Sequence, residues 1–487
     1  QQQRYKMPTI KFEELLVDQP AFKNPGLLTA NNCIPYARGY KPLPTIETFT
    51  DAIDNRARGL FAARSTTDTI KVVCGDAGKL YMLDGATWDD VSKTGGYSLG
   101  SSDDWKFTIF GNNIIASTIT ENLQKFEIGT DTLFSDLVSI KAKFVTVIGE
   151  FLVTAYNENQ PQRVRWSALN DPTDFTVSQT TQSDFQDIVG DHGAIQGIVG
   201  GEYGIVFTEK AIHRMQYVGT PFIFQFDKVQ SGFGAFVPGG ITNYGRISYY
   251  LSEDGFYAFD GNKSIPIGTN KVNKYFFNDL STTSSYIDRI SATVDPGNDI
   301  VVWAYPSTNS TGELDKLIIY NYVLDRWSTA DVDIQVLGFT KSASFTLEQI
   351  AAIDPNLDEI EISFDSIFWT GQQFQLAAFT SAKKTGVFTG TAGTATFVTG
   401  ENNIEGDRRA VVRSVTPLID GGTLTTKVGY RDKQGATVNF TSAVSPSDNG
   451  TCYFRQPGKY LRQQVDVVGN FDQAFGLELD VATEGKR

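Results

Sequence analysis

The chain has 487 residues, 40% hydrophobic and 20% charged, with a formal net charge of −14 at pH 7. That length exceeds one ordinary core and predicts two or more domains. No apolar run reaches the roughly 18 residues that a membrane-spanning helix needs. The acidic excess argues against gripping nucleic acid, because phosphate binding requires clustered cations that release counterions.

Residues 1–58 read as an N-terminal extended arm. The opening, Gln1 to Lys6, is polar and lacks the apolar stretch of a secretory signal. IKFEELLV (10–17) is compatible with a short strand or a helical turn, and residues 19–44 are rich in Pro, Gly and Asn. Such an arm either closes a ring of sheets or clasps a neighbouring subunit.

From Gly59 a three-strand phrase recurs. It reads GLFAARS–TIKVVCG–KLYMLDG from Gly59, WKFTIF–NIIAST–LQKFEIG from Trp105, and AKFVTVI–EFLVTAY–RVRWSA from Ala142. It returns from Ala194, Gly239 and Arg289, and a degenerate seventh copy starts at Val336. A period of about 40–50 residues built from short strands predicts a β-propeller over residues 59–380. One blade cannot bury both of its faces alone, whereas a ring of blades can. The turns carry Gly, Asn or Asp, as at Gly75-Asp76, Asn112-Asn113, Asp254-Gly255 and Gly297-Asn298. FIFQFDKV (222–229) is the clearest fourth, outer strand.

Two insertions break the rhythm. In NKVNKYFFNDL (270–280) Val272, Tyr275, Phe276 and Leu280 share one helical face. TLEQIAAIDPNLDEIEI (346–362) begins like a helix and breaks at Asp354-Pro355. After Thr380 the period is lost and hairpin-length strands follow, predicting a separate β-sandwich or barrel-like domain over 381–487. The expected fold class is therefore all-β: a propeller of six to seven blades plus this C-terminal domain. Charge divides along the same line. Residues 380–487 hold 13 Lys and Arg against 11 Asp and Glu, so the acidity lies in the rest of the chain. An acidic wall repels phosphates and would let DNA slide past; acidity also simply keeps a large surface soluble.

Little in the sequence points to catalysis. The chain has two histidines, His192 in a GDHG loop and His213 within AIHRMQY, and three widely spaced cysteines, Cys33, Cys74 and Cys452. That is too few for zinc or His-based acid–base chemistry, gives no disulfide framework, and suits folding in a reducing cytosol. Cys74 reads as a small buried hydrophobe. No Walker loop, nucleophile elbow or strand–GxGxxG–helix pattern occurs. DGATW (84–88) faintly echoes the turn of sialidase-like propellers, but occurs once and reads better as a hairpin with a packed Trp. Asp103-Asp104 and Asp358-Glu359 lack calcium-loop spacing. The 60 aromatic residues invite a stacking role. Each buried ring, however, removes about 150–250 Å² from water, worth roughly 4–6 kcal/mol gross, and blade faces require such packing. No residue is assigned to catalysis, to a cofactor or to a metal.

Several phrases resemble one family. RVRWSALNDPTDF (163–175) is similar to the Trp-Ser-x-x-x-Asp-Pro-x-Asp-Phe phrase of the tail nozzle, or tail tubular B-like, proteins of short-tailed phages. GIVFTEKAIHRMQYVG (204–219), YYLSEDGFYAFDGNKSIPIG (249–268) and LIIYNYVLDRWST (317–329) follow in the family's order. Near the end, Gly458-Lys459-Tyr460-Leu461-Arg462 and Gly485-Lys486-Arg487 match its closing pattern, with Lys459 where Arg is common. The resemblance spans about 163–487 and is looser over the first 58 residues. It implies a non-enzymatic virion component, assembled in the host cytoplasm as a ring of usually six copies below the portal and its head-to-tail adaptor. Such a ring continues the DNA channel, helps retain packaged DNA, supports ejection, and carries fibres, spikes or a plug. The near-neutral C-terminal domain is then the candidate docking platform. A carbohydrate-binding or glycosidase-like propeller, with paired acids near its axis, is the alternative from a different class.

Overall fold

The computed structural model describes residues 5–6, 9–341, 374–403 and 409–483. The insertion at 346–362, the acidic pair at 358–359 and the terminal Gly485-Lys486-Arg487 lie outside them. The protein is all-β: a propeller joined to a curled antiparallel sheet.

Five blades are separate four-stranded antiparallel sheets, spanning 60–90, 106–138, 142–187, 195–231 and 241–266. Each carries the repeated phrase as its first three strands. A sixth unit is built from Ser291–Asp295, Ile300–Tyr305, Leu314–Asn321 and the first half of the long strand Arg326–Lys341. The second half of that strand starts the seventh unit, at the Val336 where the repeat marks its degenerate copy. It pairs with Phe374–Thr380, which pairs with Thr385–Gly390, which in turn pairs with Thr45–Thr48. The seventh blade is thus completed by the N-terminal arm.

The innermost strands neighbour one another in a complete cycle. Apolar residues seal each junction. Between blades 1 and 2 these include Val73, Leu80, Ile114 and Phe126; between 2 and 3, Ile115, Leu123, Val145 and Leu152; between 3 and 4, Phe144, Val153, Val206 and Met215. Phe207 and Tyr250 join blades 4 and 5, Ile319 and Ala378 join 6 and 7, and Cys74, Trp88 and Phe379 join 7 back to 1. Period-two alternation lets each strand supply both faces of its blade.

The junction between blades 5 and 6 is also where the closing sheet docks. Its frame is a long ribbon of Ala410–Arg431 against Tyr460–Thr483. The ribbon bends at register shifts around Gly421 and Gly422, whose φ values of +93° and +71° are open to glycine. Arm strands Ile10–Lys11, Leu27–Asn31 and Gly39–Pro42 all join this sheet. One apolar core runs from Phe256, Trp303 and Trp327 of the blades to Tyr40, Phe397 and Val465 of the sheet. Within it Trp303 Nε1 donates to Gly240 O and Trp327 Nε1 to Ile267 O, both at 3.0 Å, so neither indole is buried unsatisfied. The helix Asn273–Asp279 lays Phe276 into the same core, flanked by Val272 and Leu280, as its apolar face predicts.

Ring closure depends on close backbone approach at Gly386, where a Cβ would stand 2.5 Å from Ile46 Cγ2 and 2.7 Å from Glu47 O. Gly386→Val is expected to cost about 1–3 kcal/mol and to raise hydrogen exchange at residues 45–48. Unchanged thermal stability with unchanged exchange there would show that the arm does not lock the ring.

Candidate functional site at the mouth of the axial channel

A cavity lies where the innermost strands begin. It has a volume of about 200 Å³ and is walled by residues from blades 1, 2, 5, 6 and 7, among them Arg56, Arg58, Asp104, Lys106, Arg289 and Gln335. Local bonding holds the segment carrying the first two arginines. The buried carboxylate of Asp76 accepts from Asn55 N at 3.1 Å and from Tyr81 Oη at 3.1 Å. Gln335 Oε1 accepts from Ala57 N at 2.9 Å, and Gly75 O from Arg58 N at 2.8 Å. Arg56 and Arg58, two residues apart, both line the cavity. Arg289 enters from the opposite wall, just after the short helix Ser284–Ile287.

The guanidiniums are fixed mainly by neutral oxygens. Arg58 Nη1 donates to the carbonyls of Gly100 and Asp103, and Arg289 Nη1 to that of Gly312. Arg56 Nη2 lies 3.5 Å from Asp104 Oδ1. Burial first, and then the repulsion of Arg289 and Arg58 against the pull of Asp104, set Arg56 below the usual arginine range. Burial pushes Glu313 up, against the pull of Arg289 and Arg56. Lys143 is lowered by burial and by Lys106. No sequence motif marks these cations beyond the closely spaced arginine pair in DNRARG (54–59).

Of the residues singled out in the sequence, Asp103 and Asp104 reach this cavity and the others described lie elsewhere. His192 and His213 meet edge-on, ring centroids 5.2 Å apart, on the fourth blade. Asp84 and Thr87 flank a two-residue turn with Gly85 at φ +59°, and Trp88, opposite Leu83, donates through Nε1 to Thr50 Oγ1 at 3.2 Å. Cys33, Cys74 and Cys452 are buried thiols without disulfide partners. Among the described residues no group of three or more His, Cys, Asp or Glu could hold a metal ion. A larger cleft, about 1170 Å³, opens between blades 6 and 7 and the closing sheet, with Tyr36, Phe339, Phe374, Phe388 and Phe471 on its walls.

No family model and no curated protein matches this chain. Solved structures do match. A chain of a crystal structure of BBS1N in complex with ARL6DN aligns at TM-score 0.38 and 12% identity, over 71% of this chain and 96% of that one. The Neurospora crassa Pan2 WD40 domain aligns at 0.37 and 6%, over 73% and 96%. An exo-β-1,3-galactanase from Phanerochaete chrysosporium, bound to β-1,3-galactotriose, aligns at 0.29 and 9%, over 90% and 100%. At these scores none of the three assigns a role to this chain.

His213 is buried, its Nδ1 has no hydrogen-bond partner, and desolvation, with His192 and Lys228 nearby, lowers it to about 4. The unfolded chain takes up this proton near pH 6.5 and the folded chain only near 4. The contribution is therefore present above 6.5 and is lost as pH falls toward 4. The unfolding free energy from urea titration should fall more between pH 7 and 4.5 for the wild type than for His213→Gln, by on the order of 2 kcal/mol. Parallel pH profiles would remove His213 from the acid response.

Proposed function

We propose that the chain is a structural subunit of a short-tailed phage tail nozzle, a homo-oligomeric virion ring, six copies by the family resemblance, that continues the DNA channel below the portal and adaptor. The reading rests first on the ordered family-like phrases. In the structure they are consecutive blade elements: 163–175 ends a strand of blade 3 and opens its turn, 204–219 is the central hairpin of blade 4, 249–268 runs through blade 5, and 317–329 spans a hairpin of blade 6.

The single structural observation that supports assembly is an apolar hairpin tip. The strands Ala211–Gly219 and Ile223–Ser231 run out beyond the blade core, and their tip exposes Tyr217, Val218 and Phe222, the last at 76%. Tyr217 Oη donates to Gln182 Oε1 at 2.7 Å, tying the tip to the loop that exposes Val177. Isolated exposed apolar side chains are ordinary, whereas a clustered set on a projecting hairpin is the composition of a docking surface. In this reading the tip packs on a neighbouring copy, the acidic propeller faces passing DNA, and the closing sheet meets the adaptor. The ring, with its fibres, spikes or plug, retains the packaged genome and supports its ejection.

A glycosidase-like propeller would place paired carboxylates at the channel mouth. Among the described residues, that lining holds Asp104 beside four cations, and the carboxylate of Asp288, which Asp104 repels, lies outside the lining.

Electron microscopy of the purified protein or of the virion should show a closed ring with an axial pore. Val218→Asp/Phe222→Asp should leave the monomer fold intact and weaken ring formation by about tenfold or more. A persistent monomer in every context, or glycan turnover by a variant unable to enter particles, would overturn the reading.

A further inference from the structure

The mouth of the axial channel is cationic in a protein whose net charge is −14. Among the described residues, Arg56, Arg58, Lys106 and Arg289 line the cavity itself with one carboxylate, Asp104, while Glu313 and Asp288 lie close enough to act on these charges from outside the lining. The single ion pair available there is long, at 3.5 Å. The carbonyls of Gly100, Asp103 and Gly312 fix two of the guanidiniums without cancelling their charge. The Nε atoms of Arg58 and Arg289 are buried with no hydrogen-bond partner. A buried donor left unpaired is costly, and so are like charges held together in a partly dry cavity. Glu313 acts on Arg289 and Arg56 through its charge, but its buried Oε2 has no hydrogen-bond partner. Among the described residues no carboxylate closely pairs with Arg58 or Arg289, a place that an oxygen-rich anion would fill.

We propose that this cavity is a binding site for a small multivalent oxyanion, a tricarboxylate or a diphosphate-bearing solute, seated among Arg56, Arg58 and Arg289. The planar guanidinium presents paired N–H donors that match a carboxylate or phosphate edge. Three of them converging from two walls favour a ligand with more than one anionic group. At about 200 Å³ the cavity is smaller than drug-sized pockets, which sets the ligand's size. Its walls come from blades 1, 2, 5, 6 and 7, so the ligand also ties those blades together. The proposal does not depend on the nozzle reading and holds for the free subunit.

Isothermal titration calorimetry of the full-length protein at low salt, with citrate and with pyrophosphate, tests it. One-to-one binding is expected, and the tighter of the two names the ligand class. Arg56→Gln and Arg289→Gln should each weaken binding about tenfold, and added salt should weaken it further. Asp104→Asn should tighten it, and because that change removes no cation it keeps the test decisive if an arginine variant misfolds. The distant, exposed Arg455→Gln should leave affinity unchanged. Absence of binding by both probes, equal loss in Arg455→Gln, or weaker binding in Asp104→Asn would overturn the proposal.

Discussion

The architecture depends on apolar packing between sheets that cannot stand alone. Each blade has two faces and no helix to cover either, so burial of one blade requires the next, and the series ends only when the last meets the first. The link that shuts the series is a four-residue strand, Thr45–Thr48, hydrogen-bonded to Thr385–Gly390. Its contribution in buried area is small beside that of the blade faces, but it converts a stack with two exposed ends into a ring with none.

The aromatic core between blades 5 and 6 serves two purposes. Trp303 and Trp327 stack at 6.0 Å, Phe256 approaches both, and Tyr320 sits 4.7 Å from Trp327. The same rings face Tyr40 and the closing sheet, where Phe12 stacks on Phe397 at 5.0 Å. The sheet after Thr380 is therefore continuous with the propeller's own core. Arg431, bidentate to the buried Glu401 at 2.7 Å on both arms, pins its far side, so that buried charge is paired.

Most of the propeller was legible from the chain because each blade repeats a local pattern: three apolar strands at fixed spacing with glycine or asparagine turns. The seventh blade was less so, for a physical reason. Its strands come from three stretches, with residues 342–373 of the sequence between the first and second and the fourth strand supplied by the arm. Pairing across 346 residues, as between Thr45 and Thr391, leaves no trace in local periodicity. The channel mouth was illegible on the same ground. Arg56 and Arg289 belong to different crossovers, and only closure of the ring brings them to one cavity. The aromatic residues, read as blade filling, lie largely in the junction cores.

The pairing of Thr45–Thr48 with Thr385–Gly390 also sets an order of events in synthesis. Blades 1 to 5 draw every strand from contiguous chain and can form as they emerge. The wheel itself stays open until residue 390 has cleared the ribosome, and through that interval the faces of blades 1 and 6 that await the seventh are bare. A nascent chain of this kind is most prone to stick to its neighbours late in translation, and a chaperone that shields it would have to engage the early blades and let go only at the end.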